Sequence, residues 1–210
     1  SPLWYLPEGS TAWGFRTDIA IANPNAEAVT ARVTFLTNDG TVPGPDIRMA
    51  PLSRTTINPG DSEALARADF STRVRCLEGR TIAVDRTMSW EAGGGGGEGH
   101  SSIGVTAPSQ KWYLPEGSTA WGFECWLLIM NPSSEDADCA VTYMIEGAGP
   151  RTVHRKVKAR TRATFNVADD IGAADASIMV ESPVPVIPER AMYRNGRGEG
   201  HDSVGVTAPA

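Results

Sequence analysis

Apolar and polar residues alternate over short stretches along the whole chain, and turn-forming segments separate these stretches. A period of two places successive side chains on opposite faces of a half-buried strand. The separating segments, such as NPN at 23–25 and NDG at 38–40, have the chemistry of turns. In the first half this pattern predicts strands over residues 19–21, 29–36, 54–57, 72–76, 81–88 and 102–106, and a short helix over 61–68.

The chain also contains two copies of one sequence unit. WYLPEGSTAWGF begins at Trp4 and recurs unchanged from Trp112, and GEGHSSIGVTAP from Gly97 recurs as GEGHDSVGVTAP from Gly198. Self-similarity of this kind predicts two domains, residues 1–108 and 109–210. The linker between them is short, so we expect a semi-rigid pair rather than two freely moving units.

Roughly seven short strands in each copy predict an all-β fold. We expect two tandem antiparallel β-sandwiches of immunoglobulin-like type, with a small barrel as the alternative that periodicity does not separate.

Composition narrows the class of protein. Hydrophobic residues make up 40% of the 210 residues and charged residues 21%, as in ordinary globular proteins. The net charge of −6 argues against nucleic acid or an anionic membrane as the main partner. No stretch approaches the roughly 18 apolar residues of a membrane span.

Three cysteines are present, and two of them distinguish the copies. Cys125 and Cys139 stand where the first copy has Thr17 and Ala31. Because both positions flank an Asn-Pro turn, we expect them on neighbouring strands and favour a Cys125–Cys139 disulfide, which would imply an oxidising compartment. Two buried free thiols are the alternative, and Cys76 is expected to be a third.

Arg86 is expected to be partly buried. It alternates with two apolar residues in the strand predicted over 81–88, so it points where they point. A partly buried guanidinium needs a carboxylate partner. Glu8 is the preferred partner, and Glu116 with Arg190 forms the equivalent pair in the second copy. We interpret both pairs as structural rather than catalytic.

Each copy repeats a Trp-Tyr pair and a further tryptophan. Exposed and coplanar, these rings would form a platform for sugar; buried, they would pack at the joint between the modules. Packing is favoured because the Trp-Tyr pair adjoins the linker. The residues are Trp4, Tyr5 and Trp13 in the first copy and Trp112, Tyr113 and Trp121 in the second.

Histidines offer little chemistry. His100 and His201 each follow a glutamate by two residues, which on a strand places two ligand types on one face. Two ligands do not make a metal site, so hydrogen bonds that hold a glycine-rich loop are favoured. We expect no metal, no cofactor and no catalytic residue, since no phosphate loop or nucleophile elbow is present.

The second copy carries a basic stretch that the first lacks. If it forms a strand, its even-numbered positions make a cationic stripe that could meet an anionic polymer such as a cell-wall glycan. A solvated edge-protecting face is the favoured interpretation. The residues are His154, Lys156, Lys158, Arg160 and Arg162.

The spaced segments WYLPEGSTAWGF, NP, ERAMYRN and GEGHDSVGVTAP together resemble a repeat of large secreted or surface-attached bacterial proteins. The resemblance covers both halves and implies an exported, modular architecture. The first copy departs from it at Asp85 and Trp90, where ER-x-MY becomes DR-x-MS-W.

We therefore expect a non-catalytic extracellular structural module, a building block of a stalk, surface layer or filament whose partners are neighbouring copies of itself. The alternative is a glycan- or cell-wall-binding module. An open groove lined by Trp4, Tyr5 and Trp13 would favour binding, whereas burial of these rings at a module contact would favour the structural role.

Overall fold

The computed structural model describes residues 1–92 and 97–208, and antiparallel β-sheets dominate them. The prediction of an all-β chain is confirmed. Repeat 1 (residues 1–108) contains β1 Leu3–Leu6, β2 Phe15–Asn23, β3 Val29–Leu36, β4 Thr41–Met49, β5 Ser53–Ile57, β6 Ser71–Cys76, β7 Ala83–Glu91 and β8 Gly97–Ile103. Repeat 2 (residues 109–210) contains β9 Ser109–Leu114, β10 Phe123–Asn131, β11 Ala137–Ile145, β12 Gly149–Val157, β13 Thr161–Asn166, α1 Ala168–Ile171, β14 Ala176–Arg194 and β15 Glu199–Val204.

Both repeats use the same strand order. Repeat 1 has one sheet in the order β1-β6-β3-β4 and a second in the order β5-β2-β7-β8. In repeat 2 the long strand β14 replaces both β6 and β7: its first part pairs with β9 and β11, and its second part pairs with β10 and β15. The register is irregular between Glu181 and Val186, where the strand passes from one set of partners to the other.

The core of repeat 1 draws side chains from both of its sheets. Ile19 and Ile21 of β2 and Val84 of β7 pack with Val33 and Val74 of the opposite sheet, and all five are buried. Their alternation with exposed residues is the pattern that predicted these strands. Burying each such side chain contributes roughly 1.5–3 kcal/mol before the entropy of ordering is subtracted.

Strand β4 was not predicted from the sequence because Pro43, Gly44 and Pro45 have the composition of a loop. In the described part of the chain β4 pairs only with β3, so its other edge faces no strand. Prolines lack a backbone N–H group, and an edge strand tolerates them because no second neighbour needs that donor. A Cβ atom at Gly44 would lie 2.7 Å from Cε2 of Phe35, so only glycine fits against this core ring.

Two predicted elements were wrong in extent or type. The last strand of repeat 1 lies at Gly97–Ile103 rather than 102–106, because its glycines allow close pairing: a Cβ atom at Gly99 would lie 2.8 Å from the carbonyl oxygen of Met88. Residues 61–68 form no α-helix; instead, short 3₁₀ turns occupy Pro59–Asp61 and Glu63–Leu65. Within the described part of the chain, no helix is long and apolar enough to cross a membrane.

The predicted Cys125–Cys139 disulfide is also wrong. All three cysteines lie among the described residues, and each is a buried free thiol. Cys125 lies on β10 and Cys139 on β11, and these strands pair with different parts of β14 rather than with each other. Burial raises the pKa of both thiols to about 11. The sequence argument assumed that the Asn-Pro turn joins two hairpin strands, whereas the strands on either side of this turn do not pair with each other.

Alkylation should therefore label three cysteines per chain after unfolding without reductant. The folded chain should resist the same reagent, because burial and the raised pKa of Cys125 and Cys139 leave little accessible thiolate. Intact-mass spectrometry reads both states. A single label on the unfolded chain would show that two of the three cysteines form a disulfide.

Candidate functional site

Arg86 is a fully buried charged residue at the contact between the repeats. It lies on β7 between β2 and β8, and its side chain is 0% exposed. The structure brings it to Glu8, with 3.0 Å between Nη2 and Glu8 Oε2. Nη1 also donates to the Glu8 carbonyl oxygen at 3.0 Å.

Repeat 2 supplies further partners that sequence reasoning missed. Arg86 Nη1 lies 3.1 Å from Glu189 Oε2, and Nη2 donates to Asp202. Glu189 Oε2 also accepts the backbone N–H of Glu8 at 2.9 Å. One guanidinium thus binds the acids of both repeats. Only one signal for this was present in the sequence: Asp202 replaces Ser101 in an otherwise close copy of GEGHSSIGVTAP.

His100 and Tyr193 complete this group. His100 Nδ1 lies 3.2 Å from Asp202 Oδ1, and its Nε2 lies 3.3 Å from the Tyr193 hydroxyl. The Tyr193 hydroxyl donates to Glu8 Oε1 at 3.4 Å. We call the whole set the Arg86 cluster; it comprises Glu8, Arg86, His100, Glu189, Tyr193 and Asp202.

Three members of the cluster have the donor types of a metal site. Ligand atoms of Glu8, His100 and Asp202 all lie within 4.8 Å of one another. However, Arg86 already supplies a positive charge at hydrogen-bond distance from both carboxylates. The donor set is therefore occupied by a guanidinium, and a divalent cation there would be repelled. Glu98, which precedes His100 in the sequence pattern, is not one of the three.

Burial sets the charge state of the cluster. It raises the pKa of Glu189 to about 8; Arg86 opposes this rise, while Glu8 and Asp202 reinforce it. Burial also acts on Asp202, but the hydrogen bond from His100 and the charge of Arg86 outweigh it and hold the pKa of that carboxyl far below its ordinary value. Glu189 therefore holds a proton at neutral pH in most molecules, whereas Asp202 is ionised.

The equivalent pair in repeat 2 is much less complete. Arg190 Nη2 lies 3.6 Å from Glu116 Oε2, and the Glu116 side chain is 63% exposed. Among the described residues, Arg190 Nε and Nη1 have no hydrogen-bond partner although Arg190 is buried. His201, the counterpart of His100, is largely exposed; partial desolvation of its ring and the positive charge of Arg190 lower its pKa.

The six predicted aromatic positions do not form one surface. Trp4 is half-buried in its own repeat and donates to the Ile82 carbonyl at 2.7 Å, and Trp112 donates likewise to Val186 at 2.7 Å. Tyr5 is buried and packs with the core of repeat 2, as does the half-buried Leu3. These positions therefore serve packing at or near the joint.

The remaining predicted aromatic residues lie further out. Trp13 and Trp121 stand at exposed loop tips with φ of 59° and 56°, a conformation that side chains rarely adopt. Tyr113 is half-buried and lies under the Lys111 ammonium, 5.4 Å from its ring centroid.

A cleft of about 310 Å³ opens beside the Arg86 cluster, between the two repeats. We call it the inter-repeat cleft. Repeat 1 contributes the loop that carries Trp13, and repeat 2 contributes β10 and β13. Its lining residues are Glu8, Gly9, Ser10, Trp13, Phe15, Asp69, Met88, Trp126, Leu128, Arg162, Thr164, Ala191, Tyr193 and Arg197.

The structure also divides the predicted basic stripe. His154, Lys156 and Lys158 project from β12 and its end into solvent, whereas Arg162 is buried on β13 at the inter-repeat cleft. His154 lies 3.1 Å from Asp138, so part of the stripe is paired locally.

Comparison with known sequences assigns the chain to a family. A family model described as "Family of unknown function (DUF5719)" matches residues 3–210. The chain belongs to this family. No curated protein has a significant match to it.

Solved structures give weaker likenesses to this DUF5719 member. A Thermotoga maritima protein, 1070, is 23% identical over 48% of this chain and 96% of its own, with a TM-score of 0.44. The Anabaena sensory rhodopsin transducer is 21% identical over 41% of this chain and 98% of its own, with a TM-score of 0.36. A Streptomyces avermitilis alpha-L-rhamnosidase complexed with L-rhamnose is 9% identical over 100% of this chain and 28% of its own, with a TM-score of 0.24. Scores of this size carry no statement about ligand or activity.

Replacing Arg86 by Met should destabilise this DUF5719 member by about 3–5 kcal/mol, because the buried acids lose their counter-charge. Arg190→Met is the matched control and should cost less, since Glu116 is solvated. Urea unfolding at pH 7 measures both variants. Equal losses would contradict the central position of Arg86.

The free energy of unfolding should fall as pH rises from 5 to 8. Folded Glu189 keeps its proton up to about pH 8 whereas an unfolded glutamate loses it near 4.5, so the folded chain binds more protons in this window. The slope reaches at most about 1.4 kcal/mol per pH unit for one proton.

Glu189→Gln should remove this slope, because the amide does not titrate. His201 acts with the opposite sign, since its lowered pKa makes the folded chain bind fewer protons near pH 6. The difference between wild type and Glu189→Gln isolates Glu189. A wild-type slope that persists unchanged in Glu189→Gln would assign the titration to another group.

Proposed function

We propose that this chain is a non-catalytic structural unit of an exported protein, in which two immunoglobulin-like β-sandwich modules are joined rigidly end to end. The observation that carries the proposal is the Arg86 cluster. Its guanidinium binds Glu8 of one repeat and Glu189 and Asp202 of the other, all of them buried. The contacts of Arg86 with Glu189 and Asp202 are both lost if either repeat moves away, so they suit a spacer that must keep its shape.

The sandwich assignment is supported by the packing of repeat 1, where two four-stranded antiparallel sheets contribute to one core. The equivalent strands of repeat 2 follow the same order, although β14 runs through both sheets. Pairs of antiparallel sheets of this size are typical of immunoglobulin-like modules.

A catalytic role has little support in the cluster. Glu8, Glu189 and Asp202 all lie at ion-pair distance from the same guanidinium, so each carboxyl group is placed against a positive charge inside the fold. A general base needs a free acceptor within reach of a substrate proton. Export is supported by the resemblance to secreted bacterial repeats, while the free thiols remove the disulfide as an argument for it.

The incomplete twin of the cluster supports attachment to a further module. Arg190 occupies in repeat 2 the position that Arg86 occupies in repeat 1, but within residues 1–92 and 97–208 it has only the exposed Glu116 at ion-pair distance. In repeat 1 the missing acids come from the following repeat. By the same geometry, a module placed after repeat 2 would offer an acid to Arg190.

A second copy of this chain would be a weaker partner than the inner joint. Asp85 stands in repeat 1 where Glu189 stands in repeat 2, so an acid is available for Arg190. However, the flanking Ala191 and Tyr193 of repeat 2 correspond to Thr87 and Ser89. Such a contact buries less apolar surface, so it is expected to be transient.

Glycan binding remains the second candidate function, but through a different surface from the one the sequence predicts. Trp4 and Tyr5 line no open groove with Trp13, because both pack into cores. The observation that favours binding is the inter-repeat cleft, which Trp13 does line.

Electron microscopy of the native, full-length protein on cells tests the structural proposal. Antibody-directed gold on regular stalks, layers or filaments at the cell surface is the expected result. Gold confined to the cell interior, or dispersed monomers in the purified native material, would count against it.

Sedimentation velocity of the 210-residue chain tests the contact between copies. We expect weak association that grows with protein concentration and is lost in Arg190→Met and in Asp85→Asn. Arg54→Met, which changes an exposed arginine elsewhere in repeat 1, is the control. Monomers at every concentration would limit the proposal to modules that follow in the same polypeptide.

A further inference from the structure

Arg162 is a buried charge without a partner. It is 2% exposed, and its Nε and Nη1 atoms have no hydrogen-bond partner anywhere in residues 1–92 and 97–208. The acids nearest to it electrostatically are Asp69, Glu8 and Glu189, yet none forms an ion pair with it within the described chain. Buried guanidinium groups are normally paired. Arg162 itself lines the inter-repeat cleft, so its guanidinium, with two donors unpaired in the fold, borders the space that a ligand would occupy.

The walls of the cleft beside Arg162 are aromatic. Trp13 and Phe15 come from repeat 1, and Trp126 and Tyr193 from repeat 2. The Trp13 ring is 73% exposed, so its face is available to a ligand. Arg197 also lines the cleft, with its guanidinium 5.2 Å from the Phe15 ring centroid. Rings placed in this way stack on a flat or ring-shaped molecule.

Hydroxyl and carboxylate groups complete the lining. Thr164 offers a hydroxyl and Asp69 offers a carboxylate, whereas the Ser10 hydroxyl already bonds the backbone of Ala12. These groups can exchange hydrogen bonds with the hydroxyl groups of a ligand. A purely aromatic acid has no such hydroxyl groups. The volume of about 310 Å³ is at the small end of ligand sites, suited to one or two small rings.

From these groups together, we propose that the inter-repeat cleft binds an acidic sugar residue, with its carboxylate on Arg162 and its ring against Trp13 and Trp126. Charge-assisted bonds from a guanidinium to a carboxylate are among the strongest polar contacts. Hydroxyls of the sugar meet Thr164 and Asp69. Glu8 also borders the cleft but is engaged by Arg86, so it does not compete for Arg162.

The two repeats provide matched controls, because only one of each pair of equivalent residues lines the cleft. Arg54 is the counterpart of Arg162 and is exposed. Trp121 is the counterpart of Trp13, with 75% exposure and the same backbone conformation, but its indole donates to Asp175 far from the cleft lining. Among the residues that the structure describes, the site therefore exists once, and it requires both repeats.

Isothermal titration calorimetry with D-glucuronate, D-glucose and benzoate tests the proposal on the whole chain. D-glucuronate should bind at least tenfold more tightly than either of the others, because only it carries both a carboxylate and hydroxyls. Arg162→Met and Trp13→Ala should each weaken D-glucuronate binding at least tenfold, whereas Arg54→Met and Trp121→Ala should leave it unchanged.

Thermal unfolding without ligand separates a binding role from a structural one. Arg162→Met should raise the unfolding midpoint, since an unpaired buried charge is replaced by an apolar side chain of similar length. A lowered midpoint would mean that Arg162 supports the fold, and would overturn the proposal. Absence of D-glucuronate binding, equal binding of D-glucose or benzoate, or full binding by Arg162→Met would also overturn it.

Titration with tetragalacturonate distinguishes an acidic polysaccharide from a free sugar acid as the ligand. Tighter binding than that of the monosaccharide would support an acidic polysaccharide, and equal binding would support a free sugar acid. These results do not depend on the proposed structural role, which is tested by assembly rather than by affinity.

Discussion

The arrangement of the two repeats depends on the guanidinium of Arg86. A fully buried charge is tolerated only with well-placed opposite charges, and Arg86 finds them on both sides of the joint, in Glu8, Glu189 and Asp202. Separating the repeats would leave Arg86 with Glu8 alone and would leave the acids of repeat 2 without their counter-charge. The joint is therefore cooperative: it either forms with all of its partners or leaves charges uncompensated.

The duplication has produced two repeats with one strand order and different surfaces. The outer face of β14 carries Glu189, Ala191 and Tyr193, whereas β7 of repeat 1 carries Asp85, Thr87 and Ser89 at the same positions. The first face is covered by the other repeat, and the second faces solvent. Burial explains the difference, because apolar and aromatic residues stabilise a covered surface and polar residues suit an open one. The repeats have diverged as the two halves of one contact.

The sequence predicted what is local. Alternation located most strands, and the position of Arg86 among apolar neighbours identified Glu8, which lies 3.0 Å away. Strand β4 was missed because an edge position, invisible in the sequence, is what permits its prolines. Glu189 and Asp202 were missed for a related reason: their role depends on how one repeat packs on the other, and no periodicity records that. The same holds for Arg162, which the sequence grouped with exposed lysines.

Arg86 and Arg162 are two buried arginines of opposite kinds, and the contrast between them separates architecture from binding. Arg86 is surrounded by acids, so its burial strengthens the joint. Arg162 lies a short way off at the edge of the same contact with its donors empty, in a position where an apolar side chain would stabilise the fold better. A residue that weakens the fold without local compensation is typical of a functional position. Both repeats line the cleft, so the contact that Arg86 stabilises also forms the cleft in which we propose that Arg162 binds an anion.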